Sequence, residues 1–143
     1  MMLSGVSVTV ATRDAGLRPE VVRAWGPAVT ADGSLLTLSV PAPPGSRTRS
    51  NLEANGEITV LCVAVDYRAL QVKGRVVNLS EPTPEQLWLV EEHVQAFAAN
   101  AQHFGHDLSQ IRNFVQPVGH VAVTVSVREV YNQTPGRDAG MAL

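Results

Sequence analysis

The sequence lacks several features that define common classes of protein. It has one cysteine, Cys62, in 143 residues, so it cannot form an internal disulfide. Eleven basic and thirteen acidic residues give a net charge of −2 without a run of like charge, which argues against nucleic acid or an anionic membrane as a partner. No apolar stretch reaches membrane-spanning length, and residues 1–5 lack the basic region of a signal peptide. We therefore expect a single cytoplasmic domain over residues 1–143.

The sequence also lacks the residue patterns of a metal site or a hydrolase. Of four histidines, His103 and His106 are three residues apart, but no Cys, Asp or Glu spacing completes a tetrahedral ligand set. Both are predicted to lie in a loop at the surface. His93 and His120 belong to no recognised motif with a serine and a carboxylate. No metal is therefore predicted, and hydrolytic chemistry has no support.

Alternating apolar and polar residues predict a chain made mostly of β-strands. Six strands are expected, at about 6–11, 18–30, 35–40, 57–65, around 70–76 and 121–128. Gly26-Pro27 predicts a bulge in the second strand, and a slip of the alternation predicts another near Arg128-Glu129. The continuous apolar run at 57–65 predicts a strand covered on both faces, with Cys62 as an inert core thiol. The predicted fold is mainly β, or α+β by strict count: a six-stranded antiparallel barrel with peripheral helices.

Three helices are predicted between the strands. A short one runs through 47–55 with Gly56 after its end, and a long one begins at the capping box 83–86. A short third helix, reaching Phe114, is stopped by Pro117. Trp88 lies off the apolar stripe of the long helix, which suggests contact with a second subunit. The predicted stripe comprises Leu87, Val90, Val94, Phe97, Ala98 and Ala101.

The polar chemistry is concentrated between Ser46 and Arg75. Hydroxyls and two guanidinium groups stand at the start of the first helix, where unpaired backbone N–H groups favour an anion such as a phosphate monoester. The same residues would also suit an ordinary solvated helix start. Farther on, the strand period places Gln71, Lys73 and Arg75 on one face, and Gly74 in the core register, where something approaches the backbone closely.

The order of these segments resembles a known family. Ser46-Arg47-Thr48 before a short helix, an apolar strand, then Gln71-Val72-Lys73-Gly74-Arg75-Val76 and later Gln133-Thr134-Pro135-Gly136 are similar to the pyridoxamine 5′-phosphate oxidase-like split barrels. The resemblance covers nearly the whole chain. It implies a homodimeric FMN-binding flavoprotein with the cofactor between subunits and redox activity on an unknown small molecule.

The resemblance also implies roles for individual residues. Arg47, Thr48 and Arg49 would hold the flavin phosphate, Gln71 and Lys73 would contact the ring, and Arg23 is a further candidate for contacting the flavin. The chain has no terminal segment bearing the arginine and histidine that grip the substrate phosphate in the true oxidases, so pyridoxamine phosphate oxidation is not expected. Two alternatives remain open: a non-catalytic module binding flavin or haem, and a deazaflavin-dependent reductase.

Overall fold

The computed structural model describes residues 4–115 and 119–143 and divides them into strands and helices close to the predicted positions. Pro117, predicted to stop the third helix, lies outside the described residues. The elements are β1 (Ser7–Arg13), β2 (Pro19–Val29), β3 (Leu35–Pro41), α1 (Arg47–Ala54), β4 (Glu57–Val63), β5 (Ala69–Ser80), α2 (Pro84–Ala101), a 3₁₀ turn (Gln102–Phe104), α3 (Leu108–Arg112) and β6 (His120–Asn132).

The six strands form a closed barrel in the order β1-β2-β3-β6-β5-β4, and every neighbouring pair is antiparallel. This confirms the predicted fold class. Alternate residues of each strand point inward and exclude water, which supplies the main stabilising term of the barrel. The most deeply buried of them are Val8, Val10, Leu36, Leu38, Val40, Val60, Val123 and Val125.

Both predicted bulges are present. The register of β2 against β3 shifts between Trp25 and Ala28, across the Gly26-Pro27 pair. In β6, Glu129 pairs with Lys73 and Val127 pairs with Gly74, so Arg128 is the extra residue. This bulge moves the outward-facing side chains of the end of β6 into register with those of β5.

Helix α1 covers one end of the barrel. Its buried residues are Thr48, Asn51 and Leu52, and the Asn51 amide donates to the Thr12 hydroxyl at 3.0 Å. Ser46 caps the helix, since its hydroxyl accepts from the Arg49 N–H at 3.2 Å. The helix therefore has one fixed orientation, with its N-terminus held at the rim of the barrel.

Helix α2 packs outside the barrel against β2, around Trp25. Its predicted capping box is confirmed, because Thr83 and Gln86 exchange hydrogen bonds of 2.8 and 3.2 Å. The predicted stripe is wrong at Leu87, which is 53% exposed. Close approach to β2 begins one turn later: a Cβ on Gly26 would lie only 3.0 Å from the Val90 nitrogen. No helix in the described ranges is long and apolar enough to span a membrane.

His93 joins α2 to the barrel through two buried hydrogen bonds that the sequence did not predict. Its Nδ1 accepts from the Gly26 N–H at 3.2 Å, and its Nε2–H donates to the Val6 carbonyl at 2.9 Å. The imidazole must be neutral to make both bonds, because a protonated ring could not accept from Gly26. Burial lowers the pKa of His93 from its ordinary 6.5, and the bond to Val6 opposes that shift.

Stability should therefore depend on pH through His93. In the unfolded chain His93 takes up a proton near pH 6.5, whereas in the folded chain it does so only at lower pH. The contribution of neutral His93 to the free energy of unfolding is therefore complete above pH 6.5. As pH falls toward and through the lowered folded-state pKa, that contribution should be lost. His93→Gln should be less stable at neutral pH but should lose less free energy of unfolding between about pH 6.5 and about pH 5. Urea unfolding over this range measures both effects.

The matched control is His103→Gln, because His103 is exposed. That variant should keep the wild-type slope of stability against pH. Carboxylates with lowered pKa, such as Asp32 at about 2, act in a more acidic range and do not interfere. Equal slopes in wild type and His93→Gln would contradict the assignment.

Candidate functional site

The outer surface of the barrel carries two parallel rows of paired residues. The interior is filled by the alternate positions, so these side chains point outward. One row crosses five strands through Arg23, Thr9, Leu61, Gln71 and Tyr131. The next row consists of Val21, Ala11, Thr59, Lys73 and Glu129. The middle positions of the two rows are apolar or weakly polar, and the charged and amide side chains lie toward their ends.

Gln71 and Lys73 lie together at the β5–β6 end of this face. The Lys73 ammonium is 4.9 Å from the centre of the Tyr131 ring, a cation–π contact. The Gln71 carbonyl accepts from the Gln133 amide at 3.3 Å. Tyr131 donates its hydroxyl proton to Glu129, and this hydrogen bond raises the pKa of the tyrosine. The predicted ring-contacting pair is therefore joined by aromatic and amide side chains from the end of the chain.

Two adjoining grooves connect Lys73 with the start of α1. The first, of about 390 Å³, is lined by Thr59, Lys73 and Arg13 among others. The second, of about 280 Å³, is lined by Arg47 and Ser50 among others. Pro19 lines both grooves. The two grooves therefore meet at Pro19, with Lys73 in one and Arg47 in the other, whereas Gln71, Thr48 and Arg49 line neither.

The three residues predicted to hold phosphate differ in how exposed their side chains are and in whether these already form an ion pair. Arg47 is 81% exposed and stands 3.9 Å from Glu20, a distance at which an exposed ion pair contributes little. Arg49 pairs with Glu53 on its own helix. Thr48 is only 2% exposed, so it can offer a backbone N–H more readily than its hydroxyl. Within the described residues, no backbone carbonyl accepts from the Arg47 or Thr48 N–H.

Arg23 is not brought together with the other candidates. It belongs to the same row as Gln71, but three strand spacings separate them, about 14 Å. It lines a different groove, formed between the barrel and the helical segment. A cofactor resting on Gln71 and Lys73 would therefore leave Arg23 at or beyond its edge.

Sequence reasoning missed Arg13, Thr59 and Tyr131 as members of this surface. The signal for Tyr131 was present, because it alternates with Glu129 and Gln133 along the end of β6. Cys62 takes no part: it is buried, and burial raises the pKa of its thiol to about 11, as expected for a core cysteine. In residues 4–115 and 119–143, no three His, Cys, Asp or Glu side chains lie close enough to hold a metal ion.

Comparison with known proteins supports the fold alone. No protein-family model and no curated protein matches the sequence. Among solved structures, an FMN-binding protein from Syntrophomonas wolfei subsp. wolfei superposes with a TM-score of 0.57 at 10% identity, covering 92% of this chain and 79% of that one. An F420 reductase gives 0.55 at 19% identity, with 89% and 90% covered.

A third structure is from a protein whose description names a family. It is a Clostridium acetobutylicum protein related to general stress protein 26 of B. subtilis, described as of the pyridoxinephosphate oxidase family. It has a TM-score of 0.56 at 12% identity, covering 98% of this chain and 87% of that one. The chain is thus a six-stranded split barrel. Its fold is that of the pyridoxamine 5′-phosphate oxidase-like proteins, as the sequence resemblance implied.

Proposed function

We propose that the protein binds a flavin-type cofactor, FMN in the first instance, on the outer face of the barrel. The observation that supports this proposal is that the groove lined by Lys73 and the groove lined by the exposed Arg47, at a helix start, share Pro19 as a wall. The fold is shared with a protein described as FMN-binding. Fold alone does not assign a ligand, so the proposal depends on these residues.

At the phosphate end, the groove is lined by Arg47 and Arg18 but also by Glu20 and Asp14, so a phosphate would have to be held by groups that these carboxylates do not neutralise. Arg47 supplies a guanidinium whose fork of N–H donors matches phosphate oxygens. The Arg47 and Thr48 backbone N–H groups and the dipole of α1 add to it. Arg49 can join them only by leaving Glu53, so its contribution is smaller.

At the ring end, Gln71 offers both a donor and an acceptor, which suits the polar edge of a flavin. A flavin ring held beside Lys73 would have a positive charge near it, which would favour the anionic reduced state. A bound flavin would itself supply the electron or hydride transfer. The proposed activity is accordingly oxidoreduction of a small molecule, with the chain providing binding and electrostatics.

We further propose that two copies of the chain enclose the cofactor. Thr59, Leu61 and Val63 on the outer face of β4 are only half-buried within one chain, although this strand was predicted to be covered on both faces. A second copy would cover them and turn an open groove into a cleft. Trp88, 59% exposed on α2, is a second apolar group that such contact could cover.

A deazaflavin cofactor is the second candidate. The F420 reductase has this fold at 19% identity and similar coverage of both chains. The two candidates differ in the ring and in the chain attached to it, so one competition experiment distinguishes them. Displacement of FMN by F420 at lower concentration would favour the deazaflavin.

The proposal is tested by sedimentation velocity with FMN added, recorded in the visible absorption band of the flavin. Bound FMN should sediment with a species of twice the 15.3 kDa chain mass. FMN that sediments as free ligand would refute cofactor binding. FMN bound stoichiometrically to a monomer would refute the shared cleft but retain the cofactor.

A further inference from the structure

A third groove lies beside β1, β2 and the end of β4, and neither Gln71 nor Lys73 lines it. Its volume is about 520 Å³, within the range of small-molecule sites. One wall is the outer surface of the barrel around Val63 and Val65, and the other is built from the helical segment. Four aromatic side chains line it: Tyr67, Phe97, Phe104 and Phe114. Such a lining favours a flat apolar ligand.

Among the described residues, Arg23 is the one arginine or lysine that lines this groove, and His106 is its other basic side chain. Its Nη1 donates to the Ser7 hydroxyl at 3.1 Å. Its guanidinium carbon lies 5.6 Å from the centre of the Phe97 ring and 5.9 Å from that of Phe114. No Asp or Glu is among the residues that line the groove, and within the described ranges Arg23 forms no ion pair.

A half-buried cation in an apolar groove is costly unless its charge and its N–H groups are satisfied. The phenyl rings compensate part of the charge through their faces. They cannot accept the in-plane N–H bonds, of which a guanidinium has five, and Ser7 takes one. The remaining donors form a fork whose geometry matches a carboxylate. The groove is therefore complementary to an anion with an apolar body.

We propose that this groove binds a small aromatic monocarboxylate, with Arg23 recognising the carboxylate and the aromatic side chains holding the ring. The ligand is a monocarboxylate because the described lining of the groove contains one guanidinium, which can pair with one carboxylate. The aromatic wall accounts for the ring, through stacked and edge-to-face contacts. Arg47, Gln71 and Lys73 do not line this groove, so ligand binding to it can be measured with or without flavin. Val63 is shared with the β4 face that the proposed dimer would cover.

Isothermal titration calorimetry with 2-naphthoate and 2-naphthamide tests the proposal, because the two probes share a ring system and differ in charge. The wild type should bind the acid at least tenfold more tightly than the amide. Arg23→Met keeps an apolar side chain of similar length but should lose that preference while keeping its affinity for the amide. Arg23→Lys should retain part of the preference. Arg137→Met, at an exposed position outside the groove, is the matched control and should behave as wild type.

A second variant keeps the test decisive if Arg23→Met is unstable. Phe104 is exposed and lines the groove, so Phe104→Glu should fold while adding a carboxylate to the groove wall, and it should abolish naphthoate binding. Equal affinity of the wild type for acid and amide, or binding of neither, would overturn the proposal. Retention of the preference in Arg23→Met would also overturn it. The titrations are repeated with and without FMN, so that a protein unable to bind flavin can still pass or fail this test.

Discussion

Replacing Arg47 by alanine is expected to weaken FMN binding about ten- to a hundredfold and to leave riboflavin binding nearly unchanged. The substitution removes a charge-assisted hydrogen bond to phosphate, worth about 1.5–3 kcal/mol. Riboflavin has the same ring without the phosphate, so it reports only on the ring end. The wild type should accordingly prefer FMN, and Arg47→Ala should lose most of that preference. Fluorescence titration of both ligands measures it.

Three further variants show whether the effect belongs to Arg47. Gln71→Ala should weaken FMN and riboflavin to a similar degree, because it acts on the ring. Glu20→Gln should strengthen FMN modestly, since it removes the carboxylate beside Arg47. Arg68→Ala deletes an exposed arginine outside both grooves and should change neither ligand. If the wild type binds FMN and riboflavin equally, the start of α1 is only a capped, solvated helix end.

Replacing Gly74 by alanine is expected to cost about 3 kcal/mol of stability. A Cβ at this position would lie 2.3 Å from the Ser126 carbonyl oxygen and 2.5 Å from Val125 Cγ1. The backbone must then shift where β5 pairs with β6, beside the bulge. The same strands carry Lys73 and Tyr131, so the variant should also weaken FMN binding. Urea unfolding gives the first effect and flavin titration the second.

Gly16→Ala is the matched control for Gly74→Ala. Gly16 lies in an exposed turn, its φ is outside the left-handed region, and an added Cβ would meet one side-chain atom, Asp14 Oδ1, at 3.3 Å, with no backbone atom nearer. Its stability should change by less than about 0.5 kcal/mol. A Gly74→Ala variant as stable as this control would mean that the close approach of β6 does not constrain the barrel.

The fold was largely predictable from the sequence because its signals are local. Alternation and turn signals located five strands, a continuous apolar run located β4, and the capping box located the start of α2 to the residue. Even the bulge at Arg128 left a visible slip in the alternation. Gly74 was predicted to permit a close approach, but its partner, the Ser126 carbonyl, lies more than fifty residues away in the sequence.

The sequence by itself determined which residues face outward and where a helix start presents an anion-binding end, because periodicity and capping involve neighbours along the chain. Only the tertiary structure decided which outward residues meet. It placed Arg47 and Lys73 in grooves that share Pro19, set Arg23 three strands from Gln71, and buried His93 between Val6 and Gly26. These relations depend on strand order and register around a closed barrel. Both arise from pairing between segments far apart in sequence, for which a local pattern carries no information.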